Sequence, residues 1–401
     1  MQRLAILALM LMSRNLFIVI VIAVVNALGY GIIIPVIYSY SRAYGLSDFQ
    51  NGLLFSLFSI CQFISTPIIG RMSDKYGRRP LLIVSIAGTA VSFFMAAFAP
   101  SAIYLFIARA LDGLTAGNLP VISAVISDTT QSKDRARGFA IMGAALGFGF
   151  VFGPAISALT VGYGESVPFI IAGIITLIAT LLTACFLPET NRHIGEVKKG
   201  KLFDFNKLTE AIKFHDIGRI FMISLVYSTV FGIFIFAFQP FSVELLGLRS
   251  NSIAIIFTAI GIVGVVTQVF LLPYASRRFG EIKTLQSSFL IISAGFAASY
   301  ITRSLIPFFS ATVVIALGNS FVSPLVQTLL SKETDAKSQG TIMGLNSSYV
   351  SIGSTIGPII GGALASLAIP LPFILCSLLS ATCYILSLRV KAVPTHKESA
   401  F

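Results

Sequence analysis

Charge is what this chain has least of. Only 11% of its 401 residues are Asp, Glu, Lys or Arg, against about 25% in an ordinary soluble protein. With 56% hydrophobic residues, a soluble surface cannot be covered by polar side chains, so lipid must be the solvent for much of the chain. Histidine is as scarce, with 3 residues, none in a long apolar run. The 4 cysteines, Cys61, Cys185, Cys376 and Cys383, include no CxxC pair, so disulfide and metal frameworks lack their usual spacing. All four read as small buried hydrophobes. No nucleophile–base pair or metal cluster falls inside an apolar run, which disfavours an enzyme. No cofactor is expected.

What the chain has instead is apolar runs of about 20 residues, the length of a helix that crosses a bilayer. Twelve recur, near 15–37, 48–70, 81–100, 102–126, 138–161, 167–187, 217–241, 251–273, 284–302, 306–330, 340–366 and 370–389, numbered here as spans 1 to 12. The expected fold class is an all-α polytopic membrane protein. The net charge of +12 raises the question of nucleic acid, and the placement of the charges answers it. With the N-terminus inside, 24 of the 28 Lys and Arg fall on the cytoplasmic side; Arg42, Arg249 and Arg303 fall outside, and Arg109 lies within a span. That asymmetry orients helices during insertion. A multi-pass protein of the plasma membrane with both termini cytoplasmic is expected, and no nucleic-acid partner. Residues 4–12 form a short apolar run without an A-x-A-like cleavage site after it, and read as an interfacial turn or helix extension.

The longest polar stretch divides the spans six and six, giving an N-terminal bundle over 1–188, a cytoplasmic linker over 189–216 and a C-terminal bundle with a short tail over 217–401. The halves repeat each other weakly but in order. Pro35 answers to Pro240, Gly45-Leu46 to Gly247-Leu248, Tyr76-Gly77 to Phe279-Gly280, and Gly149-xxx-Gly153-Pro154 to Gly353-xxx-Gly357-Pro358, at offsets of 205, 202, 203 and 204 residues. Duplicated six-helix halves are a transporter architecture with the substrate near the midplane. On these features, with the charged stretch Gly70-Arg-Met-Ser-Asp74-Lys75-Tyr-Gly77-Arg78-Arg79-Pro80 between spans 2 and 3, the chain resembles the major facilitator superfamily across essentially its full length. It most resembles the twelve-helix drug/proton antiporter branch that contains the tetracycline exporters.

In the stretch from Gly70 to Pro80, Gly70 and Gly77 suit tight backbone, and a carboxylate such as Asp74 is favoured at a helix N-terminus. The resemblance implies a gating latch, in which Asp74 docks on span 11 and Arg78, with Arg79 beside it, pairs with Asp128 at the end of span 4. The residues alone leave open that these charges only orient the chain. The copy at Arg277-Arg278-Phe279-Gly280 reads as a topology anchor.

Span 4 holds Arg109 and Asp112, three residues apart and so on one helical face. Each costs about 2.5–3.5 kcal/mol at mid-membrane on insertion scales. Two readings stand: a functional pair, or mutual neutralisation that fastens the first half. The Arg-xx-Asp-Gly-xxx-Gly spacing resembles the family's span-4 motif for proton transfer, which makes Asp112 the titratable candidate and Arg109 its tuning cation. Gly149, Gly153 and Pro154 in span 5, with Gly353, Gly357 and Pro358 in span 11, have the spacing for close helix approach and bending. By resemblance, they mark export-type members.

In span 1, Asn26-Ala-Leu-Gly29-Tyr30-Gly31-Ile-Ile-Ile-Pro35 follows the tetracycline-exporter pattern, except that those proteins usually carry aspartate where Asn26 stands. Asparagine does not titrate, so coupling falls to Asp112 alone or is absent. Spans 3, 8 and 9 lack the acids and His of tetracycline exporters, which argues against tetracycline itself. The other polar residues in spans are sparse: Tyr30, Gln62, Tyr227, Gln239, Gln268, Asn319, Gln327 and Asn346. Asn26, Tyr30, Gln62, Tyr227, Gln239, Gln268 and Asn346 are candidates to line a substrate cavity. The 34 Phe are expected to face mostly lipid, and a cavity so poor in polar groups suits a hydrophobic or amphipathic solute.

The expected function is therefore proton-coupled export of small hydrophobic or amphipathic compounds by a monomer. Its partners are a small-molecule substrate, protons and the lipid bilayer. Uptake or facilitated diffusion of a metabolite or sugar is the alternative, favoured by Asn26, and a non-transporting scaffold is a third.

Overall fold

The computed structural model describes residues 14–130, 135–191, 194–195, 215–334 and 339–390, and contains no strand among them. Eleven helical segments are long and apolar enough to cross a bilayer, and Leu371–Ser387 is a shorter twelfth. Lipid offers a backbone no hydrogen bonds, and a helix satisfies its own. All twelve expected spans are helical. The interfacial run 4–12, most of the linker and the C-terminal tail lie outside the described residues.

The chain forms two compact units. Unit 1 is Met1–Phe203 with Leu248–Ala259, and unit 2 is Asp204–Gly247 with Ile260–Phe401. In unit 1, span 1 is Arg14–Ile33, followed across Pro35 by the short helix Ile37–Arg42. Span 2, Asp48–Tyr76, opens on a capping box in which Ser47 and Gln50 satisfy each other's backbone N–H. The expected hairpin over 70–80 is much tighter than its sequence suggests. Helix persists to Tyr76, Gly77 alone reverses the chain at φ +103°, and span 3 runs from Arg78 to Ala97. Only glycine adopts that φ without strain, and Pro80 sits in the first helical turn, where its missing N–H costs nothing.

Span 4 is not one helix. It consists of Ala102–Thr115 and Leu119–Thr129, broken at residues 116–118. The break frees three carbonyls for side chains of spans 2 and 3. Gly113 O accepts from Ser65 (3.0 Å), Ala116 O from Gln62 (3.3 Å) and Thr115 O from Ser85. Gly117 allows the approach, since a Cβ there would lie 2.8 Å from the Thr66 nitrogen. Spans 5 and 6 are Arg135–Thr160 and Val167–Phe186. Fully buried Val19, Ile22, Leu82, Ile86, Val121, Ile122, Val125 and Ile126 form the core between spans 1, 3 and 4.

Unit 2 repeats the plan. Span 7, His215–Pro240, ends in a π-helical turn, Phe241–Leu245. Span 8 starts in unit 1 at Ser250 and loosens into a second π turn, Thr267–Leu271, before ending at Phe279. Spans 9 to 12 are Glu281–Ile301, Leu305–Lys332, Gln339–Leu367 and Leu371–Ser387. Every paired landmark of the sequence repeat has a matching structural role. Pro35 follows the end of its helix and Pro240 marks the change from α to π helix, while Gly45 and Gly247 (φ +80° and +62°), like Gly77 and Gly280 (φ +103° and +82°), turn the chain.

The glycine stripes also match. A Cβ on Gly31 of span 1 would lie 2.7 Å from the Gly149 carbonyl oxygen and 3.2 Å from Pro154 Cδ of span 5. One on Gly232 of span 7 would lie 3.0 Å from Pro358 Cδ and 3.2 Å from Gly357 Cα of span 11. Both prolines lie inside unbroken helices.

Two expectations need correction. Phenylalanine is not mainly lipid-facing: 14 described Phe are buried and 10 exposed. Phe234, Phe238, Phe241, Phe296, Phe308 and Phe373 pack ring on ring inside unit 2. The large apolar area of an aromatic ring is best used against other protein surface, where ring edges also find ring faces. Cys376 and Cys383 are buried as expected, but Cys61 is only partly so and Cys185 is exposed near the end of span 6.

Candidate functional site

Arg109 and Asp112 meet. Arg109 Nη1 donates to Asp112 Oδ2 at 2.6 Å, with both residues buried at 7% and 5% exposure. The three-residue spacing on the first helix of span 4 makes the contact, and burial strengthens it while stripping both charges of water. The guanidinium stacks 4.3 Å over the Phe58 ring of span 2, a cation–π contact. Its Nε is buried without a hydrogen-bond partner among the described residues. Phe58 in turn packs on Tyr30 of span 1, whose other side meets the edge of Phe150 of span 5, each at 5.9 Å. A half-exposed Phe150 thus ends an aromatic row that begins at the buried ion pair.

A polar chain joins Asn26 to Asp112. Asn26 Nδ2 donates to Asn118 Oδ1 (2.8 Å), and Asn118 Nδ2 to Ser85 Oγ (2.8 Å). Ser85 Oγ donates to Thr115 O, and the Thr115 hydroxyl lies 3.1 Å from that of Thr89 and 3.2 Å from the Asp112 backbone carbonyl oxygen, to which it donates. The chain crosses spans 1, 3 and 4 at the break in span 4.

Around the turn between spans 2 and 3, Arg78 gathers three partners: Asp74 at 2.5 Å, Asp128 at 3.4 Å and the Ser73 hydroxyl at 2.6 Å. Asp74 sits in the last helical turn of span 2, not at a helix N-terminus. The N-terminal position belongs to Glu189, just after span 6. Its carboxylate accepts from the backbone N–H of Arg78 (2.9 Å) and Arg79 (3.1 Å), the first free donors of span 3, where an anion is favoured. A Cβ on Gly77 would lie 2.9 Å from the Glu189 carboxyl carbon. Arg79 donates to the Ala184 carbonyl (2.6 Å). A Cβ on Gly70 would lie 3.6 Å from Pro120 Cβ, an ordinary van der Waals distance, so the site has room for one.

The other candidates scatter. Gln62 caps the broken span 4. In unit 2, Tyr227 donates to the Asn319 side chain. Asn346 is buried, with its Oδ1 unpartnered among the described residues. Gln239 is wholly buried, and Gln268 is exposed on the second π turn. Sequence reasoning missed Glu189, Thr89, Ser85 and Asn118. For Asn118 a signal existed, because Gly117-Asn118-Leu119-Pro120 has the form of a helix restart, with a capping residue type and Pro in the first turn.

Two overlapping stretches, residues 19–345 and 220–401, match the family model of the Major Facilitator Superfamily. The chain belongs to that superfamily. It is 31% identical to Multidrug resistance protein 1 of Bacillus subtilis over 93% of this chain and 95% of the relative. It is 28% identical to the class G tetracycline resistance protein of Vibrio anguillarum, over 87% and 89% of the two chains. These relatives agree with the drug/proton antiporter branch expected from the motifs. Among solved structures, it resembles the human organic anion transporter MFSD10, with a TM-score of 0.70 at 20% identity over 93% of this chain and 99% of that one. A bacterial homologue of the lysosomal transporter Spinster gives 0.75 at 16% identity over 94% and 93%. Both share the superfamily fold.

Proposed function

We propose that this superfamily transporter exports small hydrophobic or amphipathic compounds across the plasma membrane in exchange for protons, with both termini cytoplasmic. The observation that carries the reading is Asp112, a buried span carboxylate held by the Arg109 guanidinium at 2.6 Å. Adding a proton to it removes half of the ion pair and leaves Arg109 as an uncompensated buried cation. Such a site has two electrostatic states, and each favours a different arrangement of its surroundings. The aromatic row of Phe58, Tyr30 and Phe150 offers π faces and apolar area to a flat or lipophilic solute, with few hydrogen-bonding groups. The named drug-resistance relatives agree with that chemistry. In this scheme, Asp112 takes its proton from outside and gives it up inside, alternating with substrate. The Asp74–Arg78–Asp128 cluster, with Gly70 and Arg79, latches the cytoplasmic ends of spans 2 to 4.

Uptake or facilitated diffusion has one observation in its favour. Asn26 bonds Asn118, and neither side chain titrates, so span 1 contributes no second acid to coupling.

The test is proton flux in proteoliposomes loaded with an internal pH dye and given a proton gradient. A lipophilic drug should collapse the gradient with wild-type protein, and Asp112→Asn should abolish that response while eluting as a folded, monodisperse species. Undiminished drug-driven flux in Asp112→Asn would sink the role assigned to it. A response to sugars or metabolites alone would favour uptake.

A further inference from the structure

The turn between spans 5 and 6 holds an acid with no ion pair among the described residues. Glu165 Oε1 accepts a hydrogen bond from the Ser250 hydroxyl at 2.7 Å, and Oε2 is buried with no partner among the described residues. Beside it, Asn251 Nδ2 donates to the Ala158 carbonyl at 2.6 Å. Ser250, Ile253 and Ala254 are buried. All these groups belong to unit 1, in which residues 248–259 dock against the end of span 5 and the turn that follows it.

The elements packed there bring two other titratable groups. Tyr163 is exposed on the same turn, and Arg249 is exposed next to Ser250 and forms no ion pair with Glu165. Glu165 is part-buried as a residue, but its Oε2 atom is buried, and a charged oxygen there without a partner is costly, while a neutral carboxyl costs less.

We propose that Glu165 is a proton-binding site on the face that the charge asymmetry assigns to the outside, and that a proton bound there holds residues 248–259 docked. Burial pushes the Glu165 carboxyl above the ordinary carboxylate value, and the Ser250 hydrogen bond opposes that push. Docking is then at full strength below the ordinary carboxylate range and weakens as external pH rises through the raised value. Span 8 starts in unit 1 and continues from Ile260 in unit 2, so release at Glu165 frees one end of a helix that both units share. This site rests on the export reading and adds a second proton to it, one bound and released on the outer face without crossing the membrane.

The experiment uses right-side-out membrane vesicles carrying the full chain with Ala254→Cys, and a membrane-impermeant maleimide added outside. Ile253→Cys serves as a second reporter should the first not accumulate. Rates are normalised to Tyr163→Cys, exposed in the same turn, to cancel the pH dependence of thiol chemistry. Vesicles with only the native cysteines give the background. Normalised labelling should be several-fold faster at about pH 8 than at about pH 5. Glu165→Gln should label slowly at both. Ser250→Ala should keep the response but move its midpoint to higher pH, because the lost donor favoured the charged form. A flat wild-type response, or an unchanged response in Glu165→Gln, would overturn the proposal. No substrate is needed, so this result and drug-driven proton flux can fail independently.

Discussion

The two units share a scaffold and differ in chemistry. Each packs a glycine of its first helix, Gly31 or Gly232, against a glycine–proline stripe on its fifth, and each turns its second hairpin on one positive-φ glycine. Inside that common frame, unit 1 buries an ion pair and a chain of polar side chains from Asn26 to Asp112. Unit 2 has no buried ion pair among the described residues and packs six Phe rings against one another in its interior. A duplicated fold keeps what holds helices together, because backbone contact tolerates no side chain in either copy. It leaves charge free to persist in only one copy, since a buried charge survives only where partners surround it. Among the described residues, unit 1 is the half that buries formal charges.

The sharpest way to break this contrast is to remove one partner of the ion pair. Arg109→Leu leaves Asp112 buried and unpaired, a loss of about 3–5 kcal/mol for pairs of this kind. The variant should lose drug-driven proton flux and most of its thermal stability in detergent. Adding Asp112→Leu should recover much of the stability but none of the flux. If Arg109→Leu alone melted like wild type, the pair would not be the electrostatic centre of unit 1.

The glycine stripes sharpen the scaffold side of the comparison. Alanine at Gly31 would meet a backbone oxygen at 2.7 Å, whereas at Gly232 the nearest atom is a proline ring carbon at 3.0 Å. Overpacking costs about 1–3 kcal/mol. Gly31→Ala should therefore lower the melting temperature clearly, and Gly232→Ala by less. The reverse order would mean that the second stripe is the tighter joint.

What could be read from the chain follows the same division. Lipid forces an apolar run of spanning length into a helix, so the number of spans was legible from pattern alone. The glycine and proline pairs were legible because backbone geometry restricts the residue type at those positions. Arg109–Asp112 was legible because a three-residue spacing on a helix dictates contact. The hydrogen-bond chain was not, since its links lie up to 92 residues apart and Ser, Thr and Asn carry no distance information. Glu189 was read as the start of a polar linker, because its partners are the backbone N–H groups of span 3. Asp74 was placed at a helix start because span 2 was expected to end near residue 70, six residues before it does.

The smallest expected effect compares two buried asparagines, one from each unit. Asn118 is fully buried with bonds on both sides, from Asn26 and to Ser85. Asn118→Ala strands both neighbours, and an unsatisfied buried polar group costs about 1–3 kcal/mol. Asn346 instead keeps a buried Oδ1 without a partner among the described residues, so Asn346→Leu removes a desolvated acceptor that bonds none of them. It should leave the melting temperature near wild type or slightly above it. If transport by Asn346→Leu nevertheless shows a raised KM at unchanged kcat, the idle acceptor in unit 2 is one that substrate completes. Unit 1 would then carry the proton and unit 2 would read the solute. An unchanged KM would place the polar contacts to substrate elsewhere, and the aromatic row of unit 1 would be the next surface to vary, starting with Phe150→Ala.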